Sequence, residues 1–232
     1  DYDHKAEADQ FIKVTKAWPV DTVAALGQDG PENVQPIFIV GLTRSGSTLV
    51  DVTLSRHPLV RTLGETPRGN RVAARLIPNR NAIHAMRAEL HDFYGPAGTK
   101  TRATDKMLAN ARYVGPLLTA FPFARVLVMR RDLRAVGLSI LENPLSPADH
   151  PYALTPERVA HHMVNVTEML SEWARMFPDR VHEISYEDLV SDPERAIPNL
   201  LSAANLPWDD AVLDQSRAPE RIDTLSVMQA RK

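Results

Sequence analysis

Cysteine is absent from the 232-residue chain. That absence excludes disulfides, thiolate nucleophiles, iron–sulfur clusters and cysteine-ligated zinc. Long apolar runs are missing as well. The stretch from Pro36 to Leu42 is strand-sized, far short of the 18 or so residues that a membrane span needs. The charged N-terminus, from Asp1 to Lys13, resembles neither a signal nor a transit peptide, so a cytoplasmic location is expected. Excess charge is lacking too. The 27 basic residues stand against 29 acidic ones, which argues against a nucleic-acid coat or a membrane-surface patch; neither partner is expected.

Lysine is scarce. Only six of the 27 basic residues are Lys, at 5, 13, 16, 100, 106 and 232. Codon usage explains this simply, although Arg is also the side chain suited to planar, bidentate recognition of phosphate and sulfate. Against that background Lys106, inside Thr-Asp-Lys-Met, stands out.

At about 150 residues per domain, the length fits one domain with a short appendage. Residues 1–35 form the appendage: Phe11, Val14, Thr15 and Trp18 fall at helical spacing before Pro19, Gly27, Gly30 and Pro31 break the pattern. The domain proper is 36–232. There, short apolar runs alternate with helical patterns, the mark of βαβ units around a mostly parallel sheet. Strands are expected at 37–40, 59–63, 102–105, 125–129 and 181–186. Helices are expected near 46–56, 67–77, 81–94, 109–121, 133–141, 156–177 and 194–204. Val159, Met163, Val166, Leu170, Trp173 and Phe177 make the longest helical stripe, which reads as core. His161 and His162 on that helix lack the i, i+4 spacing of a zinc pair; both read as solvent-side residues, and no metal is expected.

Gly41-Leu-Thr-Arg44-Ser45-Gly46-Ser47-Thr48 lies directly between the first strand and its helix. Backbone N–H groups and the positive helix end make such a turn an anion cradle. The spacing nearly matches the nucleotide P-loop, but Ser47 stands where a kinase needs Lys, and a cation appears inside the loop as Arg44.

The run from Pro36 to Leu49 closely resembles the 5′-phosphosulfate loop of sulfotransferases that use 3′-phosphoadenosine 5′-phosphosulfate (PAPS). Within them the chain is most similar to the tyrosylprotein-sulfotransferase-related group of bacteria; Thr43 replaces its usual Pro. Four further stretches resemble that family in the same order: Ser55 to Val60 with Leu63-Gly-Glu65, Asp105-Lys106-Met107, Val128 to Arg134 with Ser139, and Ile184 to Leu189 with Tyr186. The resemblance implies a P-loop-type, three-layer α/β fold, with a central, mostly parallel sheet flanked by helices. It also implies PAPS as donor, 3′,5′-ADP (PAP) as product and no metal.

On that resemblance Glu65 is the general base, Lys106 the transition-state cation, and Arg44 a cation of the loop. Arg44, Ser45, Gly46, Ser47 and Thr48 cradle the 5′-phosphosulfate. Arg131 and Ser139 hold the 3′-phosphate, and Tyr186 lies against the nucleotide. Read without the resemblance, Glu65 is an acidic residue opening a helix, Arg130, Arg131 and Arg134 are surface ion pairs, and Tyr186 is a core strand residue. His57 is the rival base. Two other readings stay open: a P-loop kinase using ATP and Mg²⁺, and a non-catalytic binding module. The acceptor is unread; a peptide tyrosine, a sugar and a small molecule all fit, with Arg68, Arg71 and Arg75 hinting at an acidic one. The resemblance further implies tetratricopeptide repeats upstream in a longer chain, and a domain incomplete at its C-terminus.

Overall fold

A computed structural model describes residues 2–143 and 145–214. The N-terminal segment forms α1 (His4–Ala17) and α2 (Val20–Gly27), split at Pro19, which has no N–H to continue the first helix. There follow β1 (Ile37–Gly41), α3 (Ser47–Ser55), β2 (Val60–Thr62), α4 (Arg68–Ala73), α5 (Arg80–Tyr94) and β3 (Arg102–Asp105). A 3₁₀ stretch (Leu108–Tyr113) leads into α6 (Val114–Ala120), then β4 (Arg125–Arg130) and α7 (Leu133–Glu142). A second 3₁₀ turn (Pro151–Leu154) precedes α8 (Pro156–Met176), β5 (Val181–Ser185), α9 (Tyr186–Ser191) and α10 (Pro193–Ala203); a last 3₁₀ turn spans Asp210–Leu213.

The five strands pair in the order β2-β3-β1-β4-β5, and every pairing is parallel. Parallel strands need crossovers on the faces, so both sides of the sheet are covered and central strands are apolar throughout. β1 is buried at all five positions. Its alternation divides the core. Phe38 and Val40 join Leu90, Leu117, Leu170 and Trp173 from α5, α6 and α8 on one side, while Ile37 and Ile39 join Val50, Leu54, Ile197 and Leu200 from α3 and α10 on the other. Each fully buried aliphatic side chain contributes about 1.5–3 kcal/mol, so these two clusters hold the strand ends in place. This is the expected three-layer architecture.

Three expectations are corrected. The helix expected at 109–121 is 3₁₀ up to Tyr113, because Pro116 fits only the first turn of an α-helix and so sets its start near Val114. Tyr186 is not on the last strand. It opens α9, because the Ser185 side chain accepts from the Asp188 N–H and caps a helix there. His162 does not face solvent: its side chain is 12% exposed and sits against Glu7 of α1. His57, the rival base, is buried, with Nε2 3.0 Å from the Pro207 carbonyl and Nδ1 accepting from the Leu59 N–H. The expectation about the domain's C-terminal end lies outside the described residues.

Candidate active site

Each of the five strands delivers expected site residues from its C-terminal end. Glu65 follows β2, Lys106 follows β3, the loop 42–48 follows β1, Arg131 follows β4 and Tyr186 follows β5. In an open parallel sheet this edge is where ligands bind, in the crevice where successive crossovers leave for opposite faces. Here that crevice lies between β1 and β4.

The loop after β1 turns tightly. Ser45 N–H donates to the Leu42 carbonyl (3.1 Å), and Leu49 N–H donates to that of Gly46 (3.0 Å). Arg44 (φ +71°) and Gly46 (φ +94°) both occupy the left-handed region. Glycine adopts it freely, whereas Arg44 pays about 1–2 kcal/mol and must be held by its surroundings. Gly46 is required twice over, since a Cβ there would lie 2.3 Å from Cδ2 of Tyr186. The hydroxyl of Ser45 is buried without a hydrogen-bond partner in the protein. Such an orphan is uncommon and calls for an acceptor that the fold does not provide.

Arg131 and Ser139 both converge on Arg44. Arg131 Nη1 donates to the Arg44 carbonyl (3.0 Å), and Arg44 Nε donates to Ser139 Oγ (3.1 Å). The Arg131 guanidinium also lies 4.2 Å above the Tyr186 ring, within cation–π range. Its neighbours behave as surface residues do: Arg130 pairs with Glu183, and Arg134 with Asp132. A cavity of about 220 Å³ opens beside this cluster, lined by Ser45, Arg131, Leu133, Thr167 and Ser171 among others. It is smaller than the roughly 300–1,000 Å³ of pockets for drug-sized ligands, so it encloses at most part of a nucleotide.

Glu65 and Lys106 meet because of strand register. Thr62 of β2 pairs with Thr104 of β3, so two residues further Lys106 N–H donates to the Gly64 carbonyl (3.0 Å). Lys106 Nζ then donates to Glu65 Oε1 at 2.5 Å, with the Lys side chain 2% exposed and the Glu side chain 47%. A buried cation is thus held at its tip by a carboxylate that still reaches solvent.

Two buried carboxyls that the sequence reading did not single out support this edge. Asp51 of α3 accepts from Thr104 Oγ1 (2.6 Å). Burial pushes its carboxyl above the ordinary range, opposed by that hydrogen bond and by the Lys106 charge. Asp105 accepts from the Tyr94 hydroxyl (2.6 Å) and the Met107 N–H (2.9 Å), and burial pushes it up to about 6. These contacts fix the turn that carries Lys106. The local signal was present, an Asp just before Lys106 and a polar Asp51 on an apolar helix. The partners were not local.

Among the described residues no three or more His, Asp or Glu side chains are grouped to hold a metal, and no helix is long and apolar enough to cross a membrane.

The pattern of the sulfotransferase family matches residues 36–210. The chain is 28% identical over 212 residues to protein-tyrosine sulfotransferase 1 of Danio rerio, covering 76% of this chain and 55% of that protein. It is 29% identical over 203 residues to the protein-tyrosine sulfotransferase of Drosophila melanogaster, covering 76% and 39%. The chain therefore spans about half or less of the length of these relatives. Among solved structures, the sulfotransferase domain of the Synechococcus PCC 7002 olefin synthase aligns with a TM-score of 0.56 at 22% identity, over 87% of this chain and 86% of that one. At that identity the likeness is one of fold.

Proposed function

The chain belongs to the sulfotransferase family, and on that premise we propose that it moves a sulfuryl group from PAPS to an acceptor hydroxyl or amine. The observation that carries this reading is the Glu65–Lys106 pair at the same sheet edge as a loop whose buried Ser45 hydroxyl has no partner in the protein. Sulfuryl transfer resembles phosphoryl transfer: charge spreads over peripheral oxygens in a loose, in-line transition state, and the enzyme positions groups and stabilises that charge.

Backbone N–H groups of residues 45–48, the Ser47 and Thr48 hydroxyls and the Arg44 guanidinium would hold the 5′-phosphosulfate. The orphaned Ser45 hydroxyl fits an anionic occupant. Arg131 and Ser139, gathered on Arg44, would take the 3′-phosphate, with Tyr186 against the nucleotide. Lys106 would direct its ammonium at the sulfonate and the bridging oxygen. Glu65 would accept the acceptor's proton, exchanging its bond to Lys106 for one to the incoming hydroxyl.

Arg68, Arg71 and Arg75 are exposed on and after α4, three residues or more beyond Glu65. They favour an acidic acceptor. Because two relatives are protein-tyrosine sulfotransferases, a tyrosine in an acidic peptide is the first acceptor to try. Ser47 at the kinase lysine position speaks against ATP as donor.

The test is a thermal shift with 3′,5′-ADP beside ATP plus Mg²⁺, followed by mass spectrometry of acceptors incubated with PAPS. The 3′,5′-ADP stabilisation should follow RT ln(1 + [L]/Kd), about 2.7 kcal/mol at a hundredfold excess over Kd, and should exceed that of ATP. An equal, Mg²⁺-dependent shift from ATP would replace this reading with the kinase.

A further inference from the structure

The geometry points to Tyr152 as a positioning residue for the anion-binding loop, standing at the end of a side-chain column rooted in the N-terminal helix. The inference rests on the reading above only for what the loop holds. Tyr152 lies in the 3₁₀ turn at Pro151–Leu154 and is 6% exposed. Its hydroxyl donates to Thr43 Oγ1 (3.1 Å). Thr43 directly precedes Arg44, the non-glycine residue at φ +71°. Backbone strain of this kind persists only when surrounding contacts over-determine it, and beside the Arg131 and Ser139 contacts to Arg44 itself, Thr43 brings in another.

Beneath that hydroxyl the column is continuous. The Tyr152 ring stacks on the His162 ring, with centroids 3.6 Å apart and planes 8° from parallel. His162 Nδ1 lies 3.0 and 3.2 Å from the two carboxylate oxygens of Glu7 on α1. Glu7 is itself buried, and it accepts further bonds from the Tyr2 hydroxyl (2.8 Å), Asn165 Nδ2 (3.2 Å) and Arg112 Nη2 (3.5 Å). Five side chains thus anchor one ring whose single polar atom reaches the loop. A phenylalanine would fill the same space and keep the stack. Only the hydroxyl makes the contact to Thr43, and His150 Nδ1, 3.2 Å away, shares it. Burial raises the Tyr152 hydroxyl above its ordinary range, so it remains a donor at neutral pH and above.

The column gives the loop its shape before any ligand arrives, which lowers the ordering cost of binding. Two substitutions isolate the contact: Tyr152→Phe removes the donor, and Thr43→Val removes the acceptor. Hydrogen exchange of amides 43–48 in the ligand-free protein should quicken in each single variant and no further in the double variant. Affinity for 3′,5′-ADP should fall about three- to tenfold in each, the change expected of one neutral hydrogen bond, and again without additivity. In turnover KM for the donor should rise by that factor while kcat holds. Exchange and affinity at the parent level in Tyr152→Phe would overturn the inference and leave Tyr152 a core residue. Additive effects of the two substitutions would overturn it as well. If the parent fails to bind 3′,5′-ADP but the exchange pattern holds, the donor reading fails while the support of the loop stands.

Discussion

Lys106 Nζ stands 2.5 Å from Glu65 Oε1, although the two residues are 41 positions apart in the chain. The pairing follows from two parallel strands whose register places Gly64 beside Lys106. An ammonium with almost no exposure of its own thereby acquires one carboxylate partner that solvent can reach.

Glu65→Gln tests the two halves of the proposed chemistry separately. Gln keeps the size of the side chain and an oxygen for Lys106, so 3′,5′-ADP affinity should stay near that of the parent. Transfer should fall about 10²–10⁴-fold, the loss typical of a missing general base. Lys106→Ala should slow transfer and weaken nucleotide binding together. Calorimetry beside turnover of an active acceptor separates the cases. Near-parent turnover in Glu65→Gln would move the base elsewhere, and not to His57, whose ring nitrogens are both engaged inside the protein.

Arg131→Ala should discriminate between nucleotides. Losing a charge-assisted contact to a 3′-phosphate costs about 1.5–3 kcal/mol, which only 3′,5′-ADP can register. The structure adds a smaller loss common to both ligands, because Arg131 also props the Arg44 carbonyl and covers the Tyr186 ring. The ratio of 3′,5′-ADP to AMP affinity is therefore the quantity to measure. An unchanged ratio would leave Arg131 as loop support alone.

Asp105 gives stability a pH dependence of known sign. Its carboxyl titrates at about 6 in the fold against 3.8 when exposed, because burial disfavours the ionised form. The folded state thus holds the proton more tightly. The stability this group contributes is complete below pH 3.8 and is lost as pH rises through about 6, by up to about 3 kcal/mol. Asp105→Asn should remove that slope. Urea midpoints from pH 3.5 to 7 should converge at the acid end and separate in favour of the variant towards neutrality. Parallel curves would show that Asp105 does not carry the effect.

Where the candidate site rests on consecutive residues, the chain was legible. Strand β1, the turn through Gly46 and helix α3 are adjacent in sequence. Their signals are local ones: an apolar run, a glycine that a left-handed turn requires, and a helix start. The alternation of strand and helix also implied a parallel sheet with both faces covered. Tyr186 was misplaced although its signal was present, since Ser185 and Asp188 form a cap that the apolar run before them obscured. His162 carried no such signal. Its burial depends on α1 packing across α8, a contact 155 residues away in the chain.

The sequence by itself therefore determined the strand–turn–helix unit and set Lys106 apart by its rarity, while the resemblance it carries named Glu65, Arg131 and Tyr186 one at a time. Only the tertiary structure decided that Glu65 meets Lys106, that Arg131 and Ser139 close on Arg44, and that Tyr152 carries the weight of α1 to Thr43. The physical reason is range. Turn and cap preferences act within a few residues, whereas register and layer packing bring together side chains whose separation along the chain leaves no trace in any local pattern.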